Sequence, residues 1–557
     1  MKNMKTIKIF NSLKAHFAII CIVAFATTFN SCEQFDLDEA PAGSQLAVVP
    51  YTTTEQMSLG VEGIYGKLNK AAWMTTFYVN GWSGDDMTTH RASNKADFRE
   101  YDQRAITSDN SRTATNWAGV YEMIRAANTV LESAEGQTLP DATTQDRLLG
   151  ETYFLRGLMF YHLARIHGKI PLPLEVDPYA RPSLSSEVDV YTQIESDMLM
   201  AESLLPQTSA VGAVKPNKGS ARGILARLYL DWAGYPVKDN SKYAQAAASA
   251  KQVIDGGHGF SLVPNIGDLY TLDGRFSTES MFTIAYCASC GLPNRKTGKL
   301  GLPGTAPTNG WQETFAEIRF YEDMPEGVRK DATYHHSMSL GADGNIISDD
   351  ATPIVDELPW TEFADQQNPV FRKIVGPFED GIWSGFQSDR NDMFMRYAEL
   401  LLIYAEASGE AGTDGADAWE ALNMVRRRAA GLPADQPVPT EIDLVDEDDV
   451  PNGLTYVDAT SADGAIQDLA FEERKWELAG EYLRWSDLVR REQVQAALGG
   501  TARDPRVSIG TLYDGDGNGT PTPLTAPSNP ILGSLGTDNY FAPIPASEIE
   551  KNPNLGG

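Results

Sequence analysis

Apolar residues return every third or fourth position in six stretches of the chain, the spacing of helices with one buried face. Trp117, Val120, Tyr121, Ile124, Asn128 and Leu131 share a face of the first, and Leu155, Leu158, Met159, His162, Leu163 and Ile166 a face of the second. Tyr191, Ile194, Met198, Ala201 and Leu205 mark the third, which stops at Pro206 because proline has no amide hydrogen to donate. Leu225, Leu228, Tyr229 and Trp232 mark the fourth, and Tyr397, Leu400, Leu401, Tyr404 and Ala405 the fifth. The sixth runs from about Ile466 to Arg491. Two of these have an adjacent partner. An alanine-rich helix from Ser241 to Asp255 follows the fourth and closes at Gly256 and Gly257; Ala416 to Ala430 follows the fifth and closes at Gly431. Strand signal is thin, with Ser280 to Tyr286 the one candidate.

The fold class is therefore mainly α. Its helix pairs, with small residues at the contact, are similar to tetratricopeptide units, although no fixed repeat period is present. Between the helices, residues 292–312, 339–390 and 500–545 are rich in Gly, Pro, Asp and Thr. Loops of that length on a helical body are where function is usually carried.

The N-terminus divides from the rest. Lys2, Lys5, Lys8 and Lys14 precede an apolar run from Phe17 to Phe29, then Asn30, Ser31 and Cys32. A cationic start, a short apolar core, small residues and a cysteine make a lipoprotein signal, with Cys32 the lipidated first residue of the mature chain. The apolar run is too short for a membrane-spanning helix. The chain thus reads as a signal peptide (1–31), a lipidated tether (32–50), an N-terminal helical region (51–285) and a C-terminal region with loop-rich insertions (286–557). Removal of the signal takes away four lysines and no acid, leaving 42 basic against 76 acidic residues and a charge near −34. Such a surface repels nucleic acid and suits an extracellular protein with neutral ligands.

Four segments carry a family resemblance. They are Glu-Thr-Tyr-Phe-Leu-Arg-Gly-Leu-Met-Phe-Tyr-His-Leu-Ala-Arg-Ile-His-Gly-Lys-Ile-Pro-Leu-Pro (151–173), Arg-Tyr-Ala-Glu-Leu-Leu-Leu-Ile-Tyr-Ala-Glu-Ala (396–407), Glu-Glu-Arg-Lys-Trp-Glu-Leu-Ala-Gly-Glu-Tyr-Leu-Arg-Trp-Ser-Asp-Leu-Val-Arg-Arg (472–491) and Phe-Ala-Pro-Ile-Pro-Ala-Ser-Glu-Ile-Glu-Lys-Asn-Pro-Asn-Leu (541–555). In order and spacing, and together with the lipidation signal, the chain resembles the SusD/RagB outer-membrane lipoproteins. The resemblance implies a cell-surface, lipid-anchored protein of the outer membrane that binds a glycan, cleaves nothing, and delivers it to a SusC-like TonB-dependent transporter. Membrane attachment is by the lipid alone. Glu33, Asp36, Asp38 and Glu39, directly after Cys32, resemble the acidic export signal of Bacteroidetes surface lipoproteins. RagB-type members leave a peptide ligand as an alternative, and a surface glycoside hydrolase is a third reading.

The charged residues of these motifs read as scaffold. Glu399 and Glu406 lie two helical turns apart beside Arg396, and Glu473, Glu477 and Glu481 recur every fourth residue with Arg474 and Arg484 between them. Carboxylates flanked by guanidinia are held ionised and make poor general acids. A Walker loop, a dinucleotide fingerprint, a His-Glu-x-x-His zinc motif and a Gly-x-Ser-x-Gly elbow are all missing from the sequence. Cys287 and Cys290 form half a zinc site at most; a local disulfide or two plain thiols fit better. No cofactor is required.

Sugar rings present apolar C–H faces and a rim of hydroxyls, so a glycan site needs flat aromatic platforms with hydrogen-bonding side chains beside them. The densest such stretch is 73–91, with Trp73, Tyr78, Trp82, Asp85, His90 and Arg91, and Tyr101 follows it. The loops after the first helix help build the glycan site in proteins of the family, which adds to Trp82, Asp85 and Tyr101 by position. Asn309-Gly310-Trp311 is a second candidate, and Trp360 and Trp383 a third. The alternative for each ring is a plug in the core beneath its loop. Asp514, Asp516 and Asn518, with Gly519, match the first half of a calcium loop, a candidate structural calcium site. Thr525 stands where the bidentate glutamate belongs.

Overall fold

A computed structural model describes residues 48–556 apart from 74–75, 91–92, 178–179, 210–213, 305–307, 347–353, 365–367, 379–386, 447, 501–511, 514–520 and 523–528. Cys32 and the signal peptide lie outside the described residues, as do Trp383, Asp514, Asp516 and Asn518. Residues Tyr51–Gly557 form one compact unit.

Among the described residues, nine long helices make the body: α1 (Thr54–Trp73), α2 (Ser111–Ala134), α3 (Ala142–His167), α4 (Glu187–Leu204), α5 (Lys218–Ala233), α6 (Lys242–Asp255), α7 (Tyr397–Glu410), α8 (Ala416–Ala429) and α9 (Ile466–Glu477). Local chemistry fixes where several begin. The side chain of Asn110 accepts the amides of Arg112 and Thr113, Asp141 that of Thr144, Ser186 that of Asp189, and Asn217 closes a capping box with Ser220. Each such cap satisfies amides that the helix itself cannot, at about 1 kcal/mol apiece. Helices pack side by side, mostly with their neighbours in sequence: α3 on α4, α5 on α6, and α7 on α6, α8 and also α9. Gly157 lets α3 and α4 approach, since a Cβ there would lie 2.9 Å from that of Asp197. Ala246, Ala247, Ser249 and Ala250 are the buried small residues of α6.

Two outcomes differ from the pattern, and a third decides between two readings that the sequence leaves open. Helix α1 is an addition, its buried face formed by Met57, Val61, Ile64 and Leu68. The stretch from 466 to 491 is two helices, α9 and α10 (Arg484–Arg490), separated by a tight turn. Gly480 and Tyr482 there have φ of 79° and 63°, and the Phe371 ring sits 2.6 Å from where a Gly480 side chain would start. A continuous helix cannot pass through that geometry. Finally, Cys287 and Cys290 are joined by a disulfide.

Strand β2 (Ser280–Ile284) pairs antiparallel with β4 (Asp392–Arg396), while β1 (Met87–Thr89) pairs with β3 (Thr314–Ala316). Residue Arg396, at the end of β4, is the centre of a buried ion network. Its guanidinium donates to Glu279 at 2.9 Å, Glu477 at 2.6 Å and Glu481 at 2.8 Å. Arg428 bonds Glu279 and Glu477, each at 2.6 Å, and Lys373 donates to Glu481 at 2.8 Å. A second set joins Arg227 to Glu399 at 2.8 Å, Arg490 to Glu406, and Arg474 to Asp487 at 3.1 Å. The arginine–glutamate spacing of the sequence motifs is thus a set of ties between helices.

This network sets the acid response. Burial pushes the Glu481 carboxyl up, but Arg396 and Lys373 outweigh it and hold the group near pKa about 2. Glu477 and Asp487 are likewise held well below the carboxylate range by their arginines against burial. Burial keeps His162 and His335 neutral down to about 3, and His167 to about 4. All these groups bind protons more readily when unfolded, so each loses its contribution as pH falls: the histidines from about 6.5 downward and the carboxylates from about 4.5. Asp86, raised by burial to about 7, acts in the opposite sense and favours folding as pH drops. Asp197 and Glu410, also raised by burial, act with Asp86, but the six depressed groups outnumber these three, so the urea midpoint is predicted to fall from pH 6.5 to pH 3; a midpoint flat over that range would contradict it.

Candidate functional site

The β1–β3 pair brings together two loops that are far apart in sequence. Register places Thr89 opposite Thr314 and Met87 opposite Ala316, so the segment after β1 and the segment before β3 emerge side by side. Asp102 secures β1, accepting the Thr88 hydroxyl at 2.9 Å and both the amide and hydroxyl of Thr89 at 2.8 Å. The loop before β3 is pinned too: Trp311 N–H donates to Gly298 O at 3.1 Å, and Gly310 N–H to Pro303 O at 2.6 Å. Gly310 has no room for a side chain, since a Cβ would sit 2.0 Å from the Leu302 carbonyl oxygen.

Between these loops lies an open recess of about 510 Å³, lined by His90, Ser93, Asn94, Lys95, Trp311 and Glu313. Trp311 is 45% exposed. The Lys95 ammonium lies 4.8 Å from its ring centroid and that of Lys299 5.3 Å. Glu313 is buried at the base, where Oε1 accepts Ser93 Oγ at 2.9 Å and Lys95 Nζ at 2.5 Å. Among the described residues its Oε2 has no hydrogen-bond partner. A flat apolar face beside hydroxyl, amide, imidazole and carboxylate groups can hold a sugar ring on one side and its hydroxyl rim on the other.

Among the described residues, Trp311 is the one sequence-predicted aromatic that lines this recess. Trp82 is fully buried and its indole N–H donates to Thr314 Oγ1 at 2.9 Å; Tyr101 is fully buried against Thr113 Oγ1 at 2.7 Å. Asp85 is bound to Arg484 at 2.7 Å, and Trp360 packs in the core beside Tyr321. These four are corrections to the expectation of ligand contact: their polar atoms are taken within the protein or their rings are enclosed by it. Tyr78 is half-buried in a separate, narrow pocket of about 60 Å³ with Lys296, Asp392 and Tyr482, far below the few hundred Å³ of an ordinary ligand site. Trp73 ends α1, and its side chain is outside the described ones. Sequence reading passed over Ser93, Asn94, Lys95 and Glu313. Only the strand pairing identifies them, because nothing in their own spacing marks a site.

Trp82→Phe is expected to lower stability by about 1 to 3 kcal/mol, through a buried Thr314 hydroxyl that loses its partner. Affinity for a ligand held in the recess should stay within about twofold. A large loss of affinity in a folded Trp82→Phe protein would return Trp82 to the site.

A family model described as starch-binding associating with outer membrane matches residues 37–230, and the model of the SusD family matches residues 359–556. The chain belongs to the SusD/RagB family. SusD-like protein P2 of Formosa agariphila is 24% identical to this SusD-family chain over 564 residues, covering 96% of it and 98% of the relative. A SusD homologue from Bacteroides thetaiotaomicron has the same fold, with TM-score 0.68 at 23% identity over 91% of this chain and 97% of that one. A laminarin-binding SusD-like protein matches with TM-score 0.63 at 22% identity, over 90% and 98% of the two chains. Among the described residues no helix is long and apolar enough to cross a membrane, and no group of three or more His, Cys, Asp or Glu is placed to hold a metal.

Proposed function

We propose that this protein captures a glycan at the cell surface without cleaving it and passes it to a SusC-like TonB-dependent transporter of the outer membrane, to which it is tethered by lipid at Cys32. The observation that carries the reading is Trp311, an exposed platform on a pinned loop with hydrogen-bonding side chains on the facing one. A SusD-family neighbour named for laminarin binding, and a family described by starch binding and the outer membrane, support it. Hydrolysis requires two carboxylates facing each other at about 5 to 9.5 Å across the bond. The recess has one carboxylate among its described lining residues, Glu313, already engaged by Lys95 and Ser93. Of the motif carboxylates, Glu399, Glu406 and Glu477 are buried with arginines, while Glu473 lines a separate open cavity and is paired there with Arg329.

The test is to incubate the purified protein with a panel of polysaccharides and peptides, measuring binding by calorimetry and products by chromatography. Glycan binding with no shortened product is the expected result. Peptide binding without glycan binding would move the protein to the RagB-like reading, and accumulating oligosaccharide would make it an enzyme.

A further inference from the structure

A cavity of about 1070 Å³, roughly twice the volume of the Trp311 recess, shares no lining residue with it. It opens between the end of α8, one side of α9, residues 325–331 and a hairpin of β5 (Ile442–Val445) and β6 (Pro451–Tyr456). The root of the hairpin is fixed: Asp458 accepts the Val438 amide and the Arg427 guanidinium of α8, each at 2.8 Å. Beyond the root, only Leu444 and Tyr456 of the two strands are buried. Each strand has the other as its single neighbour, so among the described residues each keeps an outer edge unpaired. Ile442, Val445, Val450, Leu454 and Val457 are 37% to 52% exposed. Val445 and Leu454 line the cleft together with Leu444, Leu469 and Trp476. A two-stranded hairpin is marginal in water by itself, and one that displays five aliphatic side chains beside a cleft is a surface for a partner to cover.

The cleft is acidic as well as apolar. Glu326, Asp331, Asp443, Asp446, Glu472 and Glu473 line it, against two cations, Arg329 and Arg426. Arg329 is taken by Glu473 and, at 3.3 Å, by Glu477. Carboxylates on the body have cations of their own: Glu326 pairs with Lys330 at 2.6 Å and Glu472 with Lys475 at 3.4 Å. Those of the hairpin do not. Among the described residues, Asp443, Asp446, Asp448 and Asp449 pair with no cation. Asp446 Oδ1 accepts the amides of Asp448 and Val450, each at 3.0 Å, which shapes the turn and leaves its charge in place.

We propose that the hairpin and its cleft are the docking surface for a basic, apolar segment of a partner protein. Its aliphatic side chains would cover Val445, Leu454 and Leu469, and its cations would meet Asp443 and Asp446. A second copy of the chain fits less well, because it would set the aspartates of one hairpin against those of the other, and like charges facing each other destabilise a strand pair. A glycan fits less well too: Trp476 and Tyr456 are buried, and aliphatic side chains offer a sugar no flat face. The inference stands apart from the glycan-capture reading, which rests on the other cavity.

The experiment titrates the purified protein into three fluorescent peptides of about ten residues at physiological salt, with anisotropy as the readout. One alternates Lys and Val, one alternates Lys and Ser, and one alternates Glu and Val. The Lys-Val peptide is expected to bind about tenfold more tightly than either of the others, which separates docking from general attraction to an acidic protein. Val445→Asp with Leu454→Asp, both at exposed positions, should bring Lys-Val down to the level of Lys-Ser. Asp443→Asn with Asp446→Asn, which keeps the acceptor for the turn, should weaken Lys-Val about threefold. Glycan titrations of both double variants should match the wild type. Equal binding of the three peptides, binding of none, or Lys-Val binding that survives both double variants overturns the inference. So does Lys-Val binding that is lost in Trp311→Ala, which would place the peptide in the recess. Dimerisation of the wild type that Val445→Asp with Leu454→Asp abolishes would assign the cleft to a second copy and overturn it as well.

Discussion

Arg396→Met is expected to cost about 3 to 5 kcal/mol of folding stability, the largest effect of any single substitution in the scaffold. The side chain is 1% exposed and its guanidinium meets Glu279, Glu477 and Glu481, together with the Glu477 carbonyl at 2.6 Å. Methionine fills much of the same volume, so the loss measures charge rather than a cavity. Arg428 still reaches Glu279 and Glu477, and Lys373 still reaches Glu481, which keeps the cost from growing further. The carboxylates stranded by the change should recover part of the loss if one is also neutralised. Arg396→Met with Glu481→Gln is therefore expected to be less destabilised than the sum of the two single variants. Urea unfolding of the four proteins of the cycle measures this. A single-variant loss under 1 kcal/mol would mean that water reaches the network and that it ties nothing. Because Arg396 joins the end of β4 to the turn after α9, the variant should weaken the fold while leaving the affinity of the folded fraction intact.

Trp311→Ala is expected to reduce glycan affinity at least thirtyfold, equivalent to about 2 kcal/mol, with little change in stability. The ring is 45% exposed, so truncation removes little buried area. Its value lies in being a flat, pre-positioned face: the amide of Trp311 is held by Gly298 and the preceding Gly310 is packed against Leu302. Binding to a platform already in place loses little conformational entropy. The same logic predicts that Gly310→Ala, which leaves the indole intact but drives a methyl group into the Leu302 carbonyl, weakens binding by moving the ring. A Trp311→Ala protein that binds as tightly as the wild type would remove the recess from consideration.

The helical body was legible because its signal is local. The faces headed by Trp117, Leu155, Tyr191 and Leu225 are the buried faces of α2 to α5, and Pro206 and Gly256 stand just beyond the ends of α4 and α6. The arginine–glutamate ladders were legible as well, since ions spaced by whole helical turns must find partners when they are buried. The break between α9 and α10 was not, because it depends on Phe371 and Asp86 arriving at Gly480 from elsewhere in the chain. The candidate site was half legible for a related reason. Trp82 and Trp311 both follow the same rule, an aromatic ring in a Gly-rich loop, and composition alone does not tell a platform from a plug. What separates them is tertiary: Thr314 and Phe98 enclose Trp82, whereas β1 and β3 hold Trp311 at the surface. Lys95 and Glu313 carry meaning only once those strands are paired.

Parallel calorimetric titration of wild type, Trp311→Ala and Trp82→Phe with the same polysaccharide tests the central claim most directly. Tight binding by wild type and Trp82→Phe, with binding lost in Trp311→Ala and no product released, is the predicted result. Loss of binding in Trp82→Phe with Trp311→Ala unaffected would contradict it and move the site away from the recess.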